Sequence, residues 1–218
     1  MPPGTLLVVA TPLGNLEDLS PRAAQALGSA ALVACEDTRR TRGLLESRGI
    51  RARRLVSYHK FNERRQVEPI LSVLRQGGDV ALVSDGGTPG VSDPGAIVVD
   101  AALDEGLPVS PIPGPSAAAA AVSASGLVSG PFLFAGFLPA RGKPRREALA
   151  ELAGQTRPIV LFEAPHRLEA TLRDLIDALG DRRATLVREA TKLHEEVRRA
   201  ALSSFLEGAA ARPPRGEH

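Results

Sequence analysis

The 218-residue chain has one cysteine, one tyrosine and no tryptophan, and aromatic residues make up only 3% of it. A single cysteine excludes an internal disulfide, which fits a reducing compartment. That residue, Cys35, lies in ALVACED, a strand-like stretch, and reads as a buried inert thiol rather than a nucleophile. With so few aromatic rings, the cores must be built from Ala, Val and Leu. No apolar run approaches the roughly 18–20 residues of a membrane span. The opening MPPGTLLVVATPLG has no basic residue before its apolar run, so it does not read as a secretion signal. These absences point to a cytoplasmic protein without a membrane partner.

Several familiar motifs are missing as well. The first strand-like run is followed by TPLGNLED, so the dinucleotide fingerprint GxGxxG fails, and no GxxxxGK[ST] phosphate loop exists. The histidines His59, His166, His194 and His218 have no HExxH or CxxC companion, so no metal is expected. No GxSxG elbow appears.

What is present is an alternation of short apolar runs and amphipathic segments. LLVVA, ALVAC, RLVSY and DVALV read as strands. Between them, Ser20-Pro21 opens a helix as N-cap and first-turn proline, a second helix stops at Gly49, and a third spans Glu63 to Arg75 before Gly77-Gly78. A fourth helix is expected from Pro94 to Gly106, ahead of the strand PVSPI. This order predicts an α/β protein with a mostly parallel sheet. After PIPGPS and an Ala-rich helix, Ala117 to Ser125, the texture changes to two strand–loop–helix units and a further strand, ATLVRE. A domain boundary is expected between Pro113 and Ser125, giving two α/β domains, 1–115 and 116–218. The last stretch, RPPRGEH, is polar and proline-bearing where another strand could start, so a truncated or frayed end is expected there.

In an open parallel sheet, ligands bind beyond the C-terminal strand ends. Four loops fall there: TPLGN (Thr11 to Asn15), EDTR (Glu36 to Arg39), SDGGTPGVSDPG (Ser84 to Gly95) and PGPS (Pro113 to Ser116). The long loop lets backbone pass close to a ligand at Gly86, Gly87 and Gly90, while Pro89 and Pro94 stiffen its path. Its aspartates, Asp85 and Asp93, suit an amine, a cation or ribose hydroxyls better than phosphate, which prefers Lys, Arg and acid-free helix N-termini.

The net charge of +2 conceals an asymmetry. Glu36 to Arg65 holds ten Arg/Lys against four Asp/Glu, whereas Gln66 to Leu138 holds seven acids and one base. A basic segment beside an acidic one fits a polyanion binder with a separate small-molecule site. Tyr58 and Phe61 are interleaved with the bases of SYHKFNERR, where rings stack on nucleobases and cations meet phosphates.

The blocks ATPLGNLEDLSPRA, CEDTRRT, SYHKFNE, VALVSDGGTPGVSDPG, PIPGPSA, GFLP and FEAPHR together resemble the ribosomal RNA branch of the tetrapyrrole methylase-like (class III) methyltransferases. Within it, the resemblance is to the small-subunit rRNA (cytidine-2′-O)-methyltransferase family. It runs from about Thr5 to Phe205. The resemblance implies two domains forming an S-adenosylmethionine cleft, a homodimer, and methylation of a cytidine ribose in 16S rRNA of the 30S subunit. It further implies cofactor contacts at Leu13, Asp85, Gly87, Thr88, Val91, Ser116 and Ala117, with Leu138, Ala164 and Pro165 bordering the adenine. Two alternatives are a tetrapyrrole C-methyltransferase and a non-catalytic RNA-binding module. Against the first stands GTP in the SDGGTP block, where tetrapyrrole enzymes resemble GDP.

Methyl transfer from an activated sulfonium is mainly an alignment problem, yet a ribose hydroxyl is a poor acid and gains from a base or cation nearby. Glu163 and His166 of FEAPHR are the expected catalytic pair. Arg39, Arg42, Tyr58, Lys60 and Phe61 are the expected RNA contacts.

Overall fold

The computed structural model describes residues 2–211. RPPRGEH lies outside them. The chain divides into two compact units, the first ending at Ala117 and the second beginning at Ala118.

The first unit alternates strictly between strand and helix: β1 (Leu6–Val9), α1 (Pro21–Ser29), β2 (Leu32–Cys35), α2 (Thr38–Ser47), β3 (Leu55–Ser57), α3 (Glu63–Arg75), β4 (Val80–Val83), α4 (Ala96–Asp104) and β5 (Val109–Ile112). The strands form one sheet in the order β3-β2-β4-β1-β5, and every pairing is parallel. LVAC and VALV are buried along their whole length, as continuous apolar runs in a parallel sheet should be. Alternate residues serve opposite faces. Leu32, Ala34, Val80 and Leu82 pack with Ile70, Leu71 and Leu74 of α3 and Val98 and Ala102 of α4. Val33, Cys35, Ala81 and Val83 pack with Ala23, Ala26 and Leu27 of α1 and Leu45 of α2. The chain thus winds out on one face and back on the other, and every strand's C-terminal end meets the same edge.

Helix starts follow local chemistry. The Ser20 hydroxyl accepts the Ala23 N–H at 3.1 Å, and Pro21 fills the first turn, as the sequence indicates. The helix expected from Pro94 instead begins at Ala96. Gly95 stands before it at φ 147° and supplies no side-chain cap, so Asp93 and Pro94 belong to the preceding loop.

The second unit contains α5 (Ala117–Ser125), β6 (Leu133–Phe137), α6 (Gly142–Ala153), β7 (Ile159–Phe162), α7 (Leu168–Leu179), β8 (Arg183–Arg188), β9 (Glu196–Ala201) and α8 (Leu202–Ala211). β6 and β7 are parallel. Their rings interlock edge to face, Phe134 to Phe162 at 5.0 Å and Phe137 to Phe162 at 5.6 Å. β8 and β9 form an antiparallel hairpin over a core of Leu172, Leu175, Leu202 and Phe205.

Candidate active site

The loops leaving β1, β2, β4 and β5 are tied to one another at the C-terminal edge of the first sheet. Thr11 and Gly87 exchange both backbone hydrogen bonds, each 2.9 Å long. The buried Thr11 hydroxyl donates to the Ser84 carbonyl at 3.1 Å. Gly87 has φ +94°, and a Cβ there would lie 3.3 Å from the Leu13 side chain; one on Gly86 would lie 3.1 Å from the Pro12 carbonyl. Glycine is therefore required where these two loops pass. The Thr88 hydroxyl donates to the Pro115 carbonyl at 3.0 Å, joining the loop after β4 to the one after β5. The Asp85 carboxylate accepts the Asp37 N–H at 3.0 Å and meets Arg40 at 3.5 Å, joining it to the loop after β2.

The edge is rich in carboxylates: Glu36, Asp37, Asp85 and Asp93. Burial raises Glu36 above the ordinary carboxylate range, and the negative charges of Asp85 and Asp93 add to the rise. Burial also raises Asp93, with a further contribution from Asp85. Asp37 moves the other way, held low by its hydrogen bonds from the exposed Arg39. Half-buried carboxylates that resist ionisation together gain from a cation placed among them.

In the second unit, a chain of charged hydrogen bonds braces the turn after β7. Glu163, whose side chain is 8% exposed, accepts the Ala164 N–H at 2.8 Å, the Thr171 hydroxyl at 2.6 Å and Arg167 Nε at 3.3 Å. Thr171 in turn accepts from buried Arg145 at 2.8 Å. Arg145 also donates to Asp174 at 2.6 Å and to the Pro139 carbonyl at 3.0 Å. Arg167 donates to the Leu138 carbonyl at 2.8 Å. Two loops, Leu138–Pro139 and Glu163–Pro165, are thereby fixed to α6 and α7.

The family model of the tetrapyrrole (corrin/porphyrin) methylases matches residues 5–206. The chain belongs to that family. It is 44% identical to the ribosomal RNA small subunit methyltransferase I of Thermotoga maritima over 98% of this chain and 96% of that one. It is 47% identical to the protein of the same name from Pseudomonas aeruginosa, covering 94% of this chain and 73% of the other. Among solved structures it resembles a cobalt precorrin-4 methyltransferase, with TM-score 0.69, 20% identity, and 95% and 89% of the two chains covered. It also resembles the uroporphyrin-III C-methyl transferase of Thermus thermophilus complexed with S-adenosyl homocysteine, with TM-score 0.65, 25% identity, and 94% and 91% covered.

In this methylase the expected residues fall into three groups. Leu13, Asp85, Gly87, Thr88, Val91 and Ser116 lie on the loops beyond β1, β4 and β5, Ala117 is the first residue of α5, and Val91 leaves an apolar side chain 36% exposed. Leu138, Ala164 and Pro165 lie on the two braced loops of the second unit. Arg39, Arg42, Lys60 and Phe61 are exposed on the first unit, and Phe61 is 91% exposed with His59 packed edge-on at 6.0 Å.

Tyr58 departs from the expectation of an RNA contact. It is 1% exposed, packs with the α3 and α4 side chains and has its hydroxyl against Glu63. Burial, with the adjacent Glu63 charge, pushes that phenol up to about 12. A ring so enclosed cannot stack on a base, so Phe61 is the aromatic available for that. Glu163 also differs from a free base, because three donors already occupy its carboxylate, whereas His166 is exposed. Glu36, Arg145 and Thr171 were not singled out from sequence. An acidic pair directly after β2 was the available signal for Glu36; nothing local marks Arg145 or Thr171.

Proposed function

We propose that this chain uses S-adenosylmethionine to methylate a cytidine ribose 2′-hydroxyl in 16S rRNA, acting as a cytoplasmic homodimer on the small ribosomal subunit. The observation that carries the reading is 43–48% identity, over 93–98% of this chain, to enzymes named ribosomal RNA small subunit methyltransferase I. The tetrapyrrole enzymes share the architecture at 20–26% identity, which is a likeness of fold. Among the described residues no helix is long and apolar enough to cross a membrane.

The donor set fits the cofactor. Gly86 and Gly87 bring bare backbone close against Pro12 and Leu13 with no side chain in the way, and the surrounding carboxylates complement a positive ligand. When bound, S-adenosylmethionine supplies a methyl group already activated on a cationic sulfur. Leu13, Gly87, Thr88, Val91, Ser116 and Ala117 would hold it from the first unit, with Asp85 on its polar part. Leu138, Ala164 and Pro165 would border its adenine. His166 would accept the hydroxyl proton, Glu163 braces the turn that carries it, and Arg39 and Arg42 would steer phosphate. Phe61 offers a face to a base.

Transfer of a labelled methyl group to purified 30S subunits, followed by mapping of the modified nucleotide, tests the reading. Label at one cytidine ribose is expected. Label on a tetrapyrrole acceptor and none on RNA would overturn it. Light scattering tests the dimer, since a monomeric mass would remove that part.

A further inference from the structure

Beyond the site itself, the first unit carries a second basic surface. Between the end of α2 and the start of β3 the sequence reads RGIRARR, residues 48–54, with four arginines and no acid. This connection precedes β3, so it lies at the N-terminal edge of the parallel sheet, opposite the candidate active site. It is firmly held. The Ile50 N–H returns to the Leu45 carbonyl at 2.8 Å, and the Arg54 carbonyl accepts the Val33 N–H at 2.8 Å. Ile50 and Ala52 pack into the core beneath. The residues between and after them, Arg51, Arg53 and Arg54, are exposed.

Three other arginines of this unit are paired with carboxylates: Arg39 with Asp37, Arg40 with Asp85, and Arg75 with Glu68 and Glu105. Among the described residues, Arg42, Arg48, Arg51, Arg53 and Arg54 have no carboxylate within ion-pair distance. α2 joins the two surfaces. Its ten residues span about 15 Å, with Arg39, Arg40 and Arg42 toward the site and Arg48 at the far end; Glu46 is its only acid.

We propose that Arg42, Arg48, Arg51, Arg53 and Arg54 form a phosphate-binding track that holds the RNA substrate along α2 and at the edge of the sheet opposite the candidate active site. The proposal rests on the reading of this chain as an rRNA methyltransferase. The partner follows from the surface chemistry. Guanidinium groups match phosphate oxygens bidentately. None of the exposed large apolar side chains of the described residues falls between positions 38 and 57, so the surface lacks the apolar insertion that a membrane-bound face needs. It equally lacks the aromatic or aliphatic anchors of a protein–protein hot spot. Charge without apolar anchors is how a protein grips a polyelectrolyte. Anchoring the loop through Ile50 and Ala52 lowers the ordering cost of presenting long side chains.

The test compares the full chain with the triple variant Arg51→Ala/Arg53→Ala/Arg54→Ala and its Lys counterpart, all checked for an unchanged melting curve. Binding to 16S rRNA is measured against salt. Removing three phosphate contacts should make the slope of log affinity against log salt shallower by about 2 and weaken binding on the order of a hundredfold near 0.1 M salt. The KM for 30S subunits should rise in parallel, while cofactor affinity by calorimetry stays the same. The Lys variant should recover most of the slope, since it keeps the charge. An unchanged slope in the Ala variant, with the wild-type chain methylating 30S subunits normally, overturns the track and leaves the functional reading intact. Loss of binding to vesicles of anionic phospholipid, with the RNA slope unchanged, overturns it in favour of a membrane. A wild-type chain that neither binds nor methylates small-subunit RNA overturns both.

Discussion

Thr171→Val isolates the brace in the second unit. Valine keeps the shape of the side chain and deletes only the hydroxyl, so no cavity forms. That hydroxyl donates to Glu163 at 2.6 Å and accepts from Arg145 at 2.8 Å, and Thr171 is 3% exposed. Water cannot replace it. A hydrogen bond to a charged group contributes about 1.5–3 kcal/mol net. Two are lost here, but neither charge is orphaned: Glu163 keeps Ala164 and Arg167, and Arg145 keeps Asp174 and the Pro139 carbonyl. The sum of two full bonds therefore overstates the cost, and about 2–3 kcal/mol is expected. For a chain of this size that lowers the melting temperature by roughly 5–10 °C.

The same change should reach the cofactor. Glu163 orients the Ala164 N–H and Arg167, and Arg167 holds the Leu138 carbonyl. Loosening this chain should weaken S-adenosylmethionine binding about tenfold, or ~1.4 kcal/mol, by calorimetry. Thr171→Ser keeps the hydroxyl and should restore both readouts. A double-mutant cycle with Glu163→Gln should show a coupling of about 1–2 kcal/mol. If Thr171→Val stays within about 0.5 kcal/mol of wild type in urea unfolding and binds cofactor normally, the brace contributes nothing and the reasoning fails.

Gly87→Ala should cost about 1–3 kcal/mol, because φ +94° is strained for alanine and its Cβ would press on Leu13; unfolding and cofactor titrations that match wild type would count against the close-packed passage. Phe61→Ala should leave stability unchanged and weaken RNA binding by about 1–3 kcal/mol, the contribution of one stacked base. Tyr58→Ala should do the reverse, losing about 3–5 kcal/mol of stability as a buried aromatic; urea unfolding paired with RNA binding separates the two, and an equal effect at both positions would refute the assignment. Burial raises Glu36 in the folded chain, so the folded state holds a proton that the unfolded chain has already released. That stabilisation is present below the ordinary carboxylate range and is lost as pH rises through the raised value. Glu36→Gln removes the loss, so its urea midpoint should gain on wild type between about pH 4 and pH 7; a gap that narrows as pH rises would contradict the shift.

The helix Glu63–Arg75 and the strands LVAC and VALV were legible because their signals are local: an amphipathic repeat closed by Gly77, and apolar runs too short for helices and bounded by turns. The convergence of four loops was legible too, since a parallel sheet places every strand's C-terminal end on one edge whatever the side chains do. Tyr58 was not legible. SYHKFNE shows two rings flanking a basic residue, and both look alike as stacking platforms. The Tyr58 N–H bonds to the Cys35 carbonyl at 2.7 Å, which continues the β3 register by one residue and turns that ring inward; three residues later the chain has left the sheet and Phe61 points to water. The start of α4 was missed because Asp93-Pro94 looks like a cap, whereas the backbone at Gly95 takes a φ that delays the helix. β9 was missed because EVRRAA has no apolar face of its own. Its Arg198 stays exposed while its guanidinium lies over the Phe205 ring at 5.7 Å, in a ladder with β8. The brace around Glu163 includes partners as far as 26 and 29 positions apart, and a periodicity reading shows α6 and α7 as helices without saying which of their polar residues meet. Buried polar partners of this kind are chosen by tertiary geometry, so FEAPHR alone could suggest a base at Glu163, while only the packed unit shows its carboxylate already committed to holding the turn that carries His166.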